Sequence, residues 1–198
     1  VSLITTGRPA AVMPFHANED EAVKVWLSVL RAGDPVISID NVDRPITGST
    51  MCSIVTQPMF QARVLGASEM SIVPTNVMIM ANGNNLIYAA DMASRGLKAR
   101  MDAGLENPDQ RSFKYDLKKY IPEHRGEIVA AVLTVLRGYF CAGRPFSATP
   151  SRFSDWDKLV RGALIWCGEA DPQDTRASID DLDPARGDLC SIINAMRK

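Results

Sequence analysis

The stretch that most constrains the fold is an unbroken apolar run that ends in a carboxylate and an amide. Residues 35–42 read PVISIDNV. A continuous, β-branched run of this length is typical of a strand buried on both faces of a parallel sheet. Asp40 follows the run directly, and open α/β sheets bind ligands at the carboxyl ends of their strands. The octet therefore predicts either a metal-holding aspartate or a buried strand whose Asp40 only caps the next turn.

Composition narrows the class of protein. The chain has 198 residues, of which 46% are apolar and 23% charged, with a formal net charge of -1. These values predict a globular protein of one large or two small domains. They predict no overall positive field, so any site for nucleic acid would have to be local. No apolar stretch is long enough to cross a bilayer.

The cysteines point to a reducing compartment. There are four, widely scattered and without a C-x-x-C pair, at positions 52, 141, 167 and 190. This spacing argues against a zinc site or a disulfide framework. We therefore expect reduced, mostly buried thiols in a cytoplasmic protein.

The first half of the chain has the strand and helix rhythm of a parallel sheet. Residues 1–5 read as a strand. A helix follows that Asn18 caps, with Glu21 three residues on and Gly33 placed to end it. The strand into Asp40 completes a βαβ unit.

Further elements are predicted after that unit. Residues 48–57 read as a short helix, and residues 60–73 as a hairpin about a turn at 66–68. Residues 75–81 read as a second buried strand, and residues 97–101 as a strand with one polar face. The hairpin and the two strands complete an α/β domain that we expect to span residues 1–103.

From about residue 104 only helices are predicted. Residues 127–142 form a strongly apolar helix, and the next helix runs from Ser154 to Gly168. In the second helix the apolar side chains expected to point inward are Trp156, Leu159, Val160, Ala163, Leu164 and Trp166. Asp171-Pro172 and Asp183-Pro184 each read as an N-cap with proline at the first helical position. Residues 104–198 are therefore expected to form a helical domain.

Three polar clusters lie at or beyond the ends of predicted strands, at residues 40–41, 82–85 and 91–95. If the strands are parallel neighbours, the clusters gather at one edge of the sheet. Each cluster alone has a simpler interpretation, since asparagine-rich stretches are mostly turns and a single arginine is usually a surface residue.

At these clusters the sequence resembles the ATPase domain of primase-helicases encoded by phages and integrated elements, which are related to superfamily 3 helicases within the AAA+ fold. The resemblance rests on a Walker-B-like VISIDN at 36–41, a sensor-1-like MIMANGNN at 78–85 and DMASR at 91–95. It extends to WDKLVRGALIW at 156–166 with ADP at 170–172. It implies an α/β, parallel-sheet AAA+-like P-loop NTPase core, truncated at its N-terminus, and an all-helical lid.

The resemblance also implies roles for single residues. Asp40 would hold the Mg²⁺ of a bound ATP. Asn84, or its neighbour Asn82 or Asn85, would orient the attacking water or the γ-phosphate. Arg95 would be an arginine finger that reaches the nucleotide of a neighbouring subunit, so the working unit would be a ring, expected to be a hexamer.

Two more residues receive alternative roles. Arg161 could contact phosphate from the lid, or form an ion pair on the helix surface. Superfamily 3 helicases insert a DNA-gripping hairpin into the ring channel at the position of residues 60–73. Arg63 is the cation of this hairpin, which is either a DNA contact or a plain packing element.

Two features depart from the family pattern. These residues contain no G-x-x-x-x-G-K-[ST] loop to cradle phosphate. In the family that loop lies upstream of this region, so we expect the chain alone to be inactive and ATP and Mg²⁺ to bind only in a longer parent protein. Asn41 stands where many AAA+ proteins place a glutamate base, and an amide cannot accept a proton at neutral pH. Either Asp43 serves as the base or hydrolysis is weak.

The sequence thus predicts the C-terminal part of an ATP-hydrolysing ring helicase or primase-helicase that acts on DNA, expected to be single-stranded, in the replication of a phage or mobile element. One alternative is a degenerate AAA+-like module for DNA docking or assembly. Another is an unrelated α/β enzyme that uses Asp40 and Asp91 as acid and base.

Overall fold

The structure, a computed structural model, describes residues 1–104 and 110–176 together with residues 107, 179 and 196. Its contacts define two compact units, Ala10–Lys98 with Arg176–Lys198, and Val1–Pro9 with Ala99–Thr175. In chain order the helices and strands are α1 (Ser2–Thr6), β1 (Ala11–Met13), α2 (Glu19–Ala32), β2 (Val36–Ile39), α3 (Ser49–Ile54), β3 (Met59–Arg63), β4 (Met70–Pro74), β5 (Met78–Ala81), α4 (Leu117–Cys141), α5 (Ser154–Trp156) and α6 (Gly162–Trp166).

The first unit is mixed α/β, as the sequence predicts. Three parallel strands form a sheet in the order β1-β2-β5, so the apolar run of the octet is the central strand. The predicted hairpin is confirmed as the antiparallel pair β3-β4. The βαβ unit is also confirmed, but its first strand is β1 rather than residues 1–5.

Helix α2 contributes four buried residues to the core of this unit, Ala22, Trp26, Leu27 and Leu30. Its cap is the predicted one: the Asn18 side chain accepts from the amide of Glu21, and Gly33 ends the helix in the left-handed region at φ 75°. Trp26 and Leu27 are buried in one cluster with Ile37 and Ile39 of β2. The apolar face of α2 packs in the same core cluster as the sheet, and the helix also contacts β3, β4 and α3.

The other face of the sheet is partly open. Val12 is 67% exposed, Met78 50% and Met80 38%. The strand predicted at residues 75–81 is confirmed over Met78–Ala81, but the prediction that it is buried is wrong. Only alternate residues of β5, Ile79 and Ala81, pack against the core. The sequence does not show this alternation of packed and exposed side chains, because the residues on both faces of β5 are apolar.

Helix α1, Ser2–Thr6, stands where the sequence predicts a strand at residues 1–5, so that prediction is wrong. Hydroxyl groups of Thr5 and Thr6 donate back to carbonyls at the start of the segment. The Arg125 guanidinium of α4 donates to the carbonyls of Ile4 and Thr5, at 2.9 and 3.0 Å. These contacts satisfy the carbonyls that end a helix, and they outweigh the local strand preference.

The predicted strand at residues 97–101 is also wrong. No strand is described there. Gly96 lies so close to the Tyr88 ring that an added Cβ would be 2.9 Å from the ring. The Tyr88 hydroxyl donates to the carbonyl of Leu97. The segment thus packs on an aromatic ring instead of pairing with a strand.

Helix α4 begins ten residues before its predicted start at 127. Asp116 is the cap, and its side chain accepts from the amide of Lys118 at 3.0 Å. Stacking of Tyr120 on His124 supports the added turns, and Pro122 is tolerated inside the helix. No helix in the described part of the chain is long and apolar enough to cross a membrane.

The second predicted helix is continuous but not regular. A π-helical turn over Asp157–Arg161 joins α5 to α6. Pro172–Thr175 forms a 3-10 turn that Asp171 caps by accepting from the amide of Gln173. The Asp183-Pro184 prediction lies outside the described residues.

Apolar side chains of these helices are less buried than predicted. The members that remain substantially exposed are Val132, Leu133, Val135, Phe140, Leu159, Val160, Leu164 and Trp166. Ala163 is buried, as expected. Cys52 is half-buried, but Cys141 and Cys167 are exposed, so the prediction of mostly buried thiols is wrong for those two. Cys190 lies outside the described residues.

Arg161 holds the helical unit together from a buried position. Its guanidinium donates to both carboxylate oxygens of Asp171, at 2.8 and 2.6 Å, and to Asp157 at 3.1 Å. It also donates to the carbonyl of Thr149. The hydrogen bond to Asp171 raises the pKa of Arg161 despite its burial. Burial alone would raise the pKa of Asp157, but hydrogen bonds from Ser151 and Arg161 lower it.

Replacing Arg161 by Met should lower the free energy of unfolding by about 3–5 kcal/mol, because it leaves two partly or fully buried carboxylates without their cation. Chemical denaturation measures this change. Lys158→Met, an exposed lysine in the same π-helical turn, is the matched control and should cost much less. A cost for Arg161→Met similar to that of the control would contradict the buried-triad interpretation.

Glu19 clamps α3 onto α2 in the α/β unit. Its carboxylate accepts from the amides of Ser49 and Thr50, at 2.9 and 3.1 Å, and from both hydroxyl groups. Gly48 precedes α3 at φ 120°, and an added Cβ would lie 2.3 Å from Glu19 Oε1. The Thr50 hydroxyl lowers the pKa of Glu19, against the opposing effect of burial.

This clamp should make stability depend on pH. Because the folded pKa of Glu19 lies below the unfolded value of about 4.3, its contribution is present above that pH and is lost as the pH falls through the folded pKa. Glu19→Gln should therefore destabilise the chain by about 1 kcal/mol at pH 7, and the difference should vanish in acid. Asp20→Asn, which removes a neighbouring charge from the same helix turn, should show no comparable loss in denaturation curves; an equal loss would refute the clamp.

Candidate functional site

The carboxyl ends of β2 and β5 lie side by side. Ile39 pairs with Ala81 in parallel register, and the amide of Asn82 donates to the carbonyl of Ile39 at 3.0 Å. On the other side of β2, the amide of Asp40 donates to the carbonyl of Met13 at 3.1 Å. Asp40 therefore leaves the central strand between two neighbours, with its side chain exposed at the edge.

Asn82 locks the two loops that follow these strands. Its side-chain oxygen accepts from the amide of Asn41 at 3.1 Å, and its carbonyl accepts from the amide of Val42 at 2.9 Å. Asn41 has φ 53°, a left-handed conformation that asparagine tolerates better than most residues. Gly83 lies against the backbone of Val42, where an added Cβ would be 2.2 Å from the carbonyl oxygen. Asn82 is thus a structural latch between the first two polar clusters.

Asn84 and Asn85 form the exposed turn beyond the latch. Asn85 is left-handed at φ 54°. The chain then returns alongside the loop after β2: the amide of Ile46 donates to the carbonyl of Ile87, and the amide of Ala89 donates to the carbonyl of Ile46. Asn84 therefore lies on a short loop. Backbone hydrogen bonds join the residues before and after this loop to the loop that follows β2.

The third cluster lies on a 3-10 helix, Ala90–Ser94, that ends at Arg95. The Arg95 Nε donates to Thr56 Oγ1 at 3.1 Å, and Nη1 donates to the carbonyl of Asp91 at 2.7 Å. The Arg95 side chain is 19% exposed, whereas that of Asp91 is 83% exposed. Arg95 is thus held against the end of α3, and none of its described hydrogen bonds reaches Asp40 or Asn84.

The described residues at the sheet edge do not form a protein cage for a metal ion. Within the described ranges no group of three or more His, Cys, Asp or Glu side chains could hold a metal. Mg²⁺ at phosphate sites is commonly held by one or two carboxylates, with water and phosphate oxygens as the other ligands. Asp40 could supply the single carboxylate of such a set.

Asp43 is a poor substitute for a glutamate base. Its carboxylate pairs with the Arg44 Nε at 3.0 Å. The hydrogen bond from Arg44 lowers the pKa of Asp43, and a carboxylate of lowered pKa accepts a proton less readily. Neither Asn41 nor Asp43 therefore offers a strong base beside Asp40.

Arg161 and Arg63 are the other two predicted site residues. Arg161 is in the helical unit, where its guanidinium is bound to Asp157 and Asp171, and its phosphate contact stays a prediction. Arg63 donates to the carbonyl of Ala67 and to the hydroxyl of Ser68 at the hairpin turn, both at 3.2 Å. It lines an open cavity of about 560 Å³ together with Asp20 and Lys24 of α2.

Two contacts near the site were missed by sequence reasoning. Thr56 binds Arg95 across 39 positions, and Glu19 binds Ser49 across 30. Neither spacing has a local signal, because threonine and glutamate are common surface residues. The capping pattern at the start of α2 predicts where the helix begins, but not that Glu19 binds α3.

No protein-family model matches the chain, and no curated protein or solved structure is significantly similar to it.

Asn82→Ala should remove the latch at the sheet edge. We expect a loss of about 1 kcal/mol in unfolding free energy and faster hydrogen exchange of the Asn41 amide, measured by NMR. Asn84→Ala, two residues further on in the exposed turn, should change neither quantity. Unaltered exchange at Asn41 in Asn82→Ala would show that the side chain does not hold the loops together.

Proposed function

We propose that this chain is the C-terminal part of an ATP-hydrolysing ring helicase or primase-helicase that acts in the DNA replication of a phage or another mobile element. The observation that carries the proposal is the position of Asp40 and Asn82. They are neighbours at the carboxyl ends of adjacent parallel strands, the edge at which open α/β sheets bind ligands. The activity itself is taken from the resemblance of the three polar clusters.

Under this proposal Asp40 would hold the metal of a Mg²⁺-ATP. A loop upstream of these residues would bind the phosphates. The bound metal would neutralise charge on the phosphates. Asn84 orients the attacking water, since an amide can both donate and accept hydrogen bonds. Asn82 and Asn85 shape the loop from which Asn84 projects.

Arg95 acts in trans in this proposal. Thr56 and Asp91 hold its guanidinium within its own subunit, and a fixed guanidinium is suited to stabilise charge that develops in a transition state. The working unit is then a cytoplasmic ring of identical chains. The ring would take single-stranded DNA, with Arg63 on the hairpin as the candidate contact.

A second candidate function is a degenerate AAA+-like module that serves DNA docking or assembly. The observation that favours it is the weak base at the sheet edge: Asn41 is an amide, and Asp43 is paired with Arg44. A parent protein that forms rings without hydrolysing ATP would support this alternative over the motor.

In the full-length parent, Arg95→Ala should abolish ATP hydrolysis, roughly 10³-fold or more as expected for an arginine finger, while nucleotide binding persists. Turnover and nucleotide affinity are measured on the same preparation. Arg31→Ala, an exposed arginine in the last turn of α2, should leave both intact. Wild-type turnover in Arg95→Ala would show that Arg95 is not part of the site.

A further inference from the structure

Thr56 is placed to aim the Arg95 guanidinium. Thr56 follows the end of α3 and accepts from the Arg95 Nε at 3.1 Å. Its hydroxyl proton is committed elsewhere, because Oγ1 donates to the carbonyl of Cys52. A hydroxyl has one proton and two lone pairs. Because this proton is donated to the Cys52 carbonyl, a lone pair of Oγ1 is left to accept the N–H of Arg95.

The second acceptor for Arg95 comes from its own 3-10 helix. Nη1 donates to the carbonyl of Asp91 at 2.7 Å. Two acceptors on different edges of a planar group fix its orientation, since the guanidinium carries its five N–H donors in a rigid fork. Among the described residues Nη2 donates to no atom, so its two protons remain for another ligand.

The support for Thr56 is itself anchored. Glu19 binds the first residues of α3, so the helix is fixed to α2 at its start, and the 3-10 helix that carries Arg95 packs against α3. Thr56 is an exposed hydroxyl at the far end of α3, and it is therefore carried by a helix that is anchored at its start. Preorganised supports of this kind matter because a small misplacement of a catalytic group costs much of the rate.

We infer that Thr56 is a positioning residue for Arg95: it turns the free Nη2 edge of the guanidinium toward the neighbouring subunit's phosphate. This inference rests on the proposed function. Thr56 acts only through Arg95 and does not touch the nucleotide. Loss of its hydroxyl should lower turnover without lowering nucleotide affinity.

The test uses Thr56→Val in the full-length parent, because valine keeps the shape and removes the acceptor. We expect kcat for ATP hydrolysis to fall roughly 10- to 100-fold, with nucleotide affinity unchanged. Thr56→Ser should restore most of the rate. The matched control is Thr134→Val, which removes the same type of hydroxyl bond to a carbonyl four residues back but has no arginine on it.

Mixed rings separate positioning from a folding defect. Subunits carrying Asp40→Asn cannot hydrolyse ATP but still offer Arg95 to their neighbours, so they should restore turnover to Arg95→Ala subunits. They should restore turnover to Thr56→Val subunits equally well, which an unfolded subunit would not allow.

The outcomes distinguish the inference from the proposal beneath it. If Arg95→Ala is inactive while Thr56→Val matches Thr134→Val, the positioning role of Thr56 is wrong and the proposed function stands. If Asp40→Asn subunits fail to rescue Thr56→Val, the positioning role is also wrong. If the wild-type parent does not hydrolyse ATP at all, the proposed function is wrong, and this inference, which rests on it, is wrong too.

Discussion

The parallel pairing of β2 with β5 is the constraint on which the candidate site depends. β2 is the central strand and its isoleucines are fully buried, so its direction is fixed by the core on one side and by two neighbours along its edges. Asp40 emerges where that strand ends, and Asn82 emerges beside it. Beyond the ends of the strands, the Asn82 latch and the close approach of Gly83 to Val42 hold the two following loops together.

Helix α3 lies between α2 and the 3-10 helix that carries Arg95. It is only six residues long, and a helix of that length has little stability of its own. Its position comes from tertiary bonds instead, from Glu19 at the start and from the Thr56–Arg95 contact beyond the end. Residues from three separate segments of the chain, α2, α3 with Thr56, and the 3-10 helix, thus determine where the Arg95 guanidinium lies.

Local sequence patterns predicted much of this fold, but they did not predict which apolar side chains are exposed. The Asn18 cap, the apolar run into Asp40 and the hairpin are set by neighbouring residues, and the structure confirms them. Residues 1–5 were mistaken for a strand because the deciding contact, from Arg125, lies some 120 positions away. Exposure on the helices could not be read from spacing, since an apolar stripe predicts that a face needs covering but not that anything covers it. The sheet edge at Asp40 was predictable; the support of Arg95 by Thr56 was not.

The most direct test of the account is the Mg²⁺ dependence of ATP hydrolysis by the full-length parent protein when Asp40 is replaced by Asn. The account predicts that turnover falls roughly 10²-fold or more at every Mg²⁺ concentration, while Asp20→Asn, an exposed carboxylate on α2, behaves as wild type. Wild-type turnover with the wild-type Mg²⁺ dependence in Asp40→Asn would contradict it, because the edge of the parallel sheet would then not be where the nucleotide is held.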